Sequence, residues 1–190
     1  MTADEFRAML VAEIEPYRRV QSFAALLAAE SGLGTDGLTV VGGSALEIYT
    51  TGDYVSADVD LLAEDQEKVA RVLRSWGFAL GGMYWRHPEF EPSVQIVGKF
   101  DSGRRSLNQI VRTRYGGVRL ASMEDIIWKR VYESRGWNRP AALSEAALLV
   151  RRYFDRLDWE YIEEMGRENR VEDLVADLRR TRGTFDPRRE

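Results

Sequence analysis

The sequence predicts an α+β fold: a mixed β-sheet with flanking helices, followed by a helical C-terminal section. Three observations carry this. Val40-Val41 leads into Gly42-Gly43-Ser44, a short helical stretch (Ala45 to Tyr49) and a strand bearing Asp58-Val59-Asp60. From Phe78 to Leu120, short runs of β-branched and aromatic residues alternate with Gly and Pro turns. Beyond Ser122 the apolar residues fall at helical spacing. The expected organisation is a core over 1–121 with N-terminal helices, a helical section over 122–182, and a loose charged tail over 183–190.

In chain order, Thr2-x-x-Glu5 reads as a capping box for a first helix carrying Phe6, Met9, Leu10 and Ile14. Pro16 breaks it. Tyr17, Val20, Phe23 and Leu27 give a second apolar stripe, which Gly32 ends. Gly32-Leu33-Gly34-Thr35-Asp36-Gly37 spells G-x-G-x-x-G, but it follows a helix and opens a strand at Leu38–Val41, the reverse of a dinucleotide fingerprint. It reads as a turn. Asp65 to Trp76 reads as a helix with Val69, Val72, Leu73 and Trp76 inward and Gly77 as its stop. Strands are expected at Phe78–Leu80, Met83–His87 and Ser93–Val97, with a turn from Pro88 to Pro92, and at Leu107–Thr113 and Val118–Leu120 as a hairpin. Ser122-x-x-Asp125 caps the next helix. Further helices are expected from Pro140 to about Phe154, from Asp158 to near Gly166, and from an Asn169-x-x-Glu172 cap to Leu178. The tryptophans read as core.

Composition narrows the function. The 190 residues contain no Cys and a single His, which removes disulfides, thiolate catalysis and Cys-ligated metal together. A net charge of −4 argues against a general nucleic-acid coat, though not against a local basic groove. No apolar run reaches membrane-span length and no signal-peptide pattern is read, so no membrane partner and a cytoplasmic location are expected.

The chemistry concentrates between Val40 and Leu62. A strand has period two, so Asp58 and Asp60 share a side while Val59 and Leu61 take the other. Adjacent carboxylates repel unless a cation lies between them, and Mg²⁺ suits oxygen ligands and phosphates. The Gly42-Gly43-Ser44 turn has the opposite character, since backbone N–H groups at a helix start can close around an anion. Together these are what a metal-bound nucleoside triphosphate needs.

Gly42-Gly43-Ser44-Ala45-Leu46 followed by Ser56-x-Asp58-Val59-Asp60-Leu61 resembles the nucleotidyltransferase superfamily that includes DNA polymerase β, and within it the AbiEii-like, abortive-infection toxin branch. The resemblance implies a nucleotidyltransferase-type sheet and Mg²⁺ held by Asp58 and Asp60. It also implies β- and γ-phosphates held at Gly42, Gly43 and Ser44, and a phosphate or carboxylate contact from Lys129. The implied reaction moves a nucleoside monophosphate from a triphosphate to a hydroxyl of an RNA such as tRNA, or of a protein. It further implies a toxin–antitoxin pair with an antitoxin protein as partner. Two positions depart from the pattern. Tyr54 stands where the branch often has Arg. Gln95, on the strand expected to carry a third carboxylate, keeps an oxygen but cannot act as a base; Glu89, Glu91 and Asp101 are the substitutes. Arg104, Arg105, Arg112, Arg114 and Arg119 form a basic run without acids, with Arg112 and Arg114 read on one strand face beside Tyr115 as a groove for RNA or triphosphate. His87 reads as structural. Two alternatives stay open: a catalytically impaired relative that binds a nucleotide, RNA or protein, and a small-molecule nucleotidyltransferase of the antibiotic-modifying kind.

Overall fold

The structure, a computed structural model, describes residues 3–98 and 108–184. Thr2, Asp101, Arg104, Arg105 and the tail from 185 onward lie outside the described residues. The chain divides into two compact units, Met1–Ala121 and Ser122–Glu190.

The first unit is α+β. Its described elements are α1 (Ala3–Ala12), α2 (Pro16–Glu30), α3 (Gly34–Gly37), β1 (Leu38–Val41), α4 (Gly42–Thr50), β2 (Asp58–Ala63), α5 (Gln66–Ser75), β3 (Ala79–Gly81), β4 (Tyr84–His87), β5 (Phe90–Gly98), β6 (Gln109–Thr113) and β7 (Gly116–Leu120). The strands form one mixed sheet in the order β3-β4-β5-β2-β1-β7-β6. The pairs β2/β5 and β1/β7 are parallel, and β1/β2 is antiparallel.

Alternation along β2 explains why the sheet has a dry face. Val59, Leu61 and Ala63 are fully buried, as are Val40 of β1, Val94 of β5 and Leu120 of β7. Asp58, Asp60 and Leu62 on the opposite face are only partly covered. Beside the sheet, Phe6 stacks on Trp76 at 5.1 Å and Phe23 on Phe90 at 4.6 Å. One aromatic cluster thus ties α1, α2 and the end of α5 to β5, because large flat rings bury much area in few residues.

Several boundaries differ from the sequence expectation for identifiable reasons. Helix α1 stops at Ala12, and Ile14 is 81% exposed in the link to α2 rather than on the first apolar stripe. The segment read as a turn at Gly34–Gly37 is a single helical turn running directly into β1. The turn read from Pro88 to Pro92 is confined to Pro88 and Glu89, since Phe90 buries its ring and already pairs with His87. Pro92 is tolerated in β5 because it precedes Ser93, where pairing with β2 begins. Strand β6 ends at Thr113, so Arg114 lies in the turn and does not share a strand face with Arg112.

The second unit is helical: α6 (Met123–Gly136), α7 (Ala141–Tyr153), a 3₁₀ turn (Phe154–Arg156), α8 (Trp159–Glu168) and α9 (Glu172–Arg180). Ser122 caps α6, its hydroxyl accepting the Asp125 N–H at 3.0 Å. Helix α8 ends near Gly166 as expected, at Glu168, but that glycine is not its stop: it lies against Val175 of α9, where a Cβ would come within 3.0 Å of a methyl. Asn169 does not cap α9 either. Its amide donates to the Met165 carbonyl at 2.8 Å, closing α8, and Val171 takes the cap position. Trp137 is 67% exposed, against the expectation that every tryptophan is core. No helix among the described residues is long and apolar enough to cross a membrane.

Candidate functional site

The site begins where β1 turns into α4. Val41 pairs with Asp60 across the antiparallel ladder, so the glycine that follows Val41 arrives beside the Asp60 side chain. Gly42 has φ of +60°, and a Cβ there would sit 2.5 Å from Asp60 Oδ2. Only a residue without a side chain permits both the backbone conformation and the approach. Gly43 is packed as closely: a Cβ would meet Ser56 Oγ at 2.5 Å and Tyr54 Oη at 3.3 Å. The tyrosine that replaces the expected Arg thus covers the glycine turn with a hydroxyl.

Ser44 is fully buried and donates its hydroxyl to the Asp58 carbonyl at 2.5 Å. Its side chain locks the first turn of α4 to the start of β2. Its hydroxyl is thus committed to the fold, so an anion could be met only by main-chain N–H groups of this helix start, where Gly43 and Ser44 are themselves buried. Ser56 reaches Asp58 Oδ1 from the other side at 3.4 Å.

The parallel ladder sets Asp58 opposite Ser93 and Asp60 opposite Gln95. Gln95 therefore lies beside Asp60 on the adjacent strand, with its amide donating to Met83 Sδ at 3.1 Å. Glu91 lies at the exposed start of the same strand, and Glu89 is held in an ion pair with Arg7 at 2.8 Å. Among the described residues, no group of three or more His, Cys, Asp or Glu side chains is arranged to hold a metal ion. The donor set at Asp58 and Asp60 is two carboxylates on one half-open face. That fits a magnesium ion whose remaining oxygen ligands come from phosphate and water, the usual way this ion is bound beside a triphosphate.

Asp58, Asp60, Gly42, Gly43 and Ser44 are brought together within the first unit. Lys129 belongs to the second, exposed on α6 with its ammonium 5.5 Å from the Trp128 ring. The basic hairpin is largely neutralised. Arg114 pairs with Glu13 at 3.2 Å and lies over the Tyr115 ring, and Arg119 is paired with Asp36. Arg112 is exposed on β6.

One acid escaped the sequence reading. Glu47, midway along α4, is 2% exposed and accepts the Ser56 N–H at 2.9 Å. Burial pushes its carboxyl pKa up, and the Ser56 hydrogen bond opposes this more weakly. The signal was present: it is the one charged residue in the apolar run Ala45 to Tyr49. No family model, curated protein or solved structure matches the chain.

Proposed function

We propose that the chain is a nucleotidyltransferase-fold protein of the toxin-like branch that binds a Mg²⁺–nucleoside triphosphate and transfers its nucleoside monophosphate to a hydroxyl. The observation that carries this reading is the meeting of Asp60 with Gly42. The glycine turn and the carboxylate pair share one edge of the sheet: Gly42 lies directly against Asp60, while the Ser56 hydroxyl stands between Gly43 and Asp58. Bound at Asp58 and Asp60, magnesium would screen the phosphate charge and polarise the P–O bond under attack. The chain's own part is positional. The N–H groups of Gly42, Gly43 and Ser44 orient the terminal phosphates, while Ser56 holds the Asp58 carboxylate and Ser44 its main-chain carbonyl.

A second reading has its own support. Gln95 occupies the position beside Asp60 where a base would be required, which favours a nucleotide- or RNA-binding relative that does not turn over.

Binding is tested first. Each of the four ribonucleoside triphosphates, with Mg²⁺, should raise the melting temperature of the wild type. At a hundred times Kd a ligand of the folded state adds about 2.7 kcal/mol. Asp58→Asn with Asp60→Asn should fold and lose that response. An equal response in the double variant would remove these residues from the site.

A further inference from the structure

A cavity of about 430 Å³ opens in the first unit where the start of α2, the middle of α4, the loop before β2 and the start of β5 converge. Val20, Val55, Ala57, Phe90 and Pro92 give it apolar walls, and Glu47 places a carboxyl among them. That carboxyl is nearly without solvent, and the Ser56 N–H is its one hydrogen-bond partner among the described residues. Folding calls for a hydrogen-bond acceptor here, not for a charge. The buried Ser56 N–H needs an acceptor, which a Gln would supply without charge, whereas a buried carboxylate with a single neutral donor is poorly compensated. Glu91 adds a second carboxylate at the rim. The one cationic lining residue, Arg19, turns its Nε to the Glu13 carbonyl at 3.1 Å. The volume is that of a small-molecule site rather than a packing defect.

We propose that this cavity binds a small organic cation, a primary amine carried on an apolar body, with the Glu47 carboxylate receiving the ammonium. An ammonium brings three donors to a group that has one, and its charge compensates the buried acid in a low-dielectric setting where such pairs are strong. The apolar walls take the rest of the ligand and exclude anions and strongly hydrated polyols. The proposal does not rest on the triphosphate reading: Ser56 is shared, giving its N–H to Glu47 and its hydroxyl to Asp58, but no wall residue is a glycine of the turn or an aspartate of β2.

The probe is 4-phenylbutylamine, titrated into the full chain by calorimetry and by amide NMR. The neutral 4-phenylbutan-1-ol and the anionic 4-phenylbutyrate are the comparators. Saturable amine binding is expected, about tenfold or more tighter than the alcohol, with the Val55, Ser56 and Ala57 amides perturbed. Glu47→Gln keeps an acceptor for the Ser56 N–H and should bring the amine down to the affinity of the alcohol. Val55→Trp fills the cavity from an exposed position and should weaken both, which keeps the test decisive if Glu47→Gln fails to fold. The proposal is overturned by no saturable amine binding, by equal affinity for alcohol or butyrate, or by amine binding unchanged in Glu47→Gln. Asp58→Asn with Asp60→Asn separates the two sites. Amine binding retained there supports the Glu47 assignment whatever happens to triphosphate, and amine binding lost there refutes it.

Discussion

His87 shows how a residue with catalytic chemistry is given a structural task. Its ring lies 5.2 Å from Phe6 and 5.0 Å from Phe78, and its Nδ1 accepts the Glu89 N–H at 3.1 Å, which requires that nitrogen to be unprotonated. Burial pulls its pKa below the usual histidine value of 6.5, with Arg7 adding to the effect and Glu89 and the Trp76 main chain opposing it. The unfolded chain therefore binds this proton more readily than the folded one. Stability from neutral His87 is complete above pH 6.5 and is lost as pH falls toward the depressed folded value. Glu47 acts in the opposite sense, because its raised pKa means that acidification toward the ordinary value of 4.5 relieves a buried charge. The comparison must therefore be a difference between proteins. Between pH 7.5 and 5.5, the melting temperature of wild type should fall more than that of His87→Phe, which keeps the ring packing and cannot titrate. Parallel slopes would mean that His87 keeps its ordinary pKa in the fold.

At the scale of elements, the junction of β1 and α4 combines two demands on one glycine, and a pair of variants separates them. Gly42→Ala places a side chain at φ +60° and against Asp60, whereas Gly82→Ala carries the same backbone strain at φ +65° with open space around it. The conformational cost alone is about 1–2 kcal/mol. Gly42→Ala should lose more than Gly82→Ala in denaturant unfolding and should lose the triphosphate response that Gly82→Ala keeps. Equal losses would mean that Asp60 yields freely and that the close approach has no consequence. Local signals were legible in the sequence: the glycine pair and the period-two strand here, and the Ser122 cap of α6 elsewhere, each announce themselves within a few residues, although the turn read at Gly42–Ser44 is already the first turn of α4. What the sequence hid depends on distant partners. Asn169 looks like an N-cap until Met165 claims its amide, Arg114 looks like a free base until Glu13 pairs with it, and Glu47 looks like a solvated helix residue until the loop at Ser56 closes over it.

For the whole molecule the proposed function asks whether binding would lead to chemistry, and Gln95 is the residue that tests it. The ladder puts Gln95 in register with Asp60, so a carboxylate there would complete a three-acid set on two parallel strands. An amide retains an oxygen for coordination but cannot take the proton of an attacking hydroxyl. On the proposed function, loss of such a group costs on the order of a hundredfold in rate, while the glycine turn and the aspartate-bound metal would keep their hold on phosphate. Wild type should therefore bind Mg²⁺–triphosphate and transfer nucleotide slowly. Gln95→Glu, given labelled triphosphate and total tRNA as acceptor, should raise transfer by about that factor at unchanged triphosphate affinity. The side chain is half-exposed and its present partner is a thioether, so the substitution displaces no buried network. If wild type already transfers rapidly and Gln95→Glu adds nothing, the base lies elsewhere, and Glu91 at the start of the same strand is the residue to change to Gln. If both proteins bind triphosphate or tRNA and neither transfers, the chain is a binding module built on a catalytic plan, with the proton acceptor removed and the phosphate cradle kept.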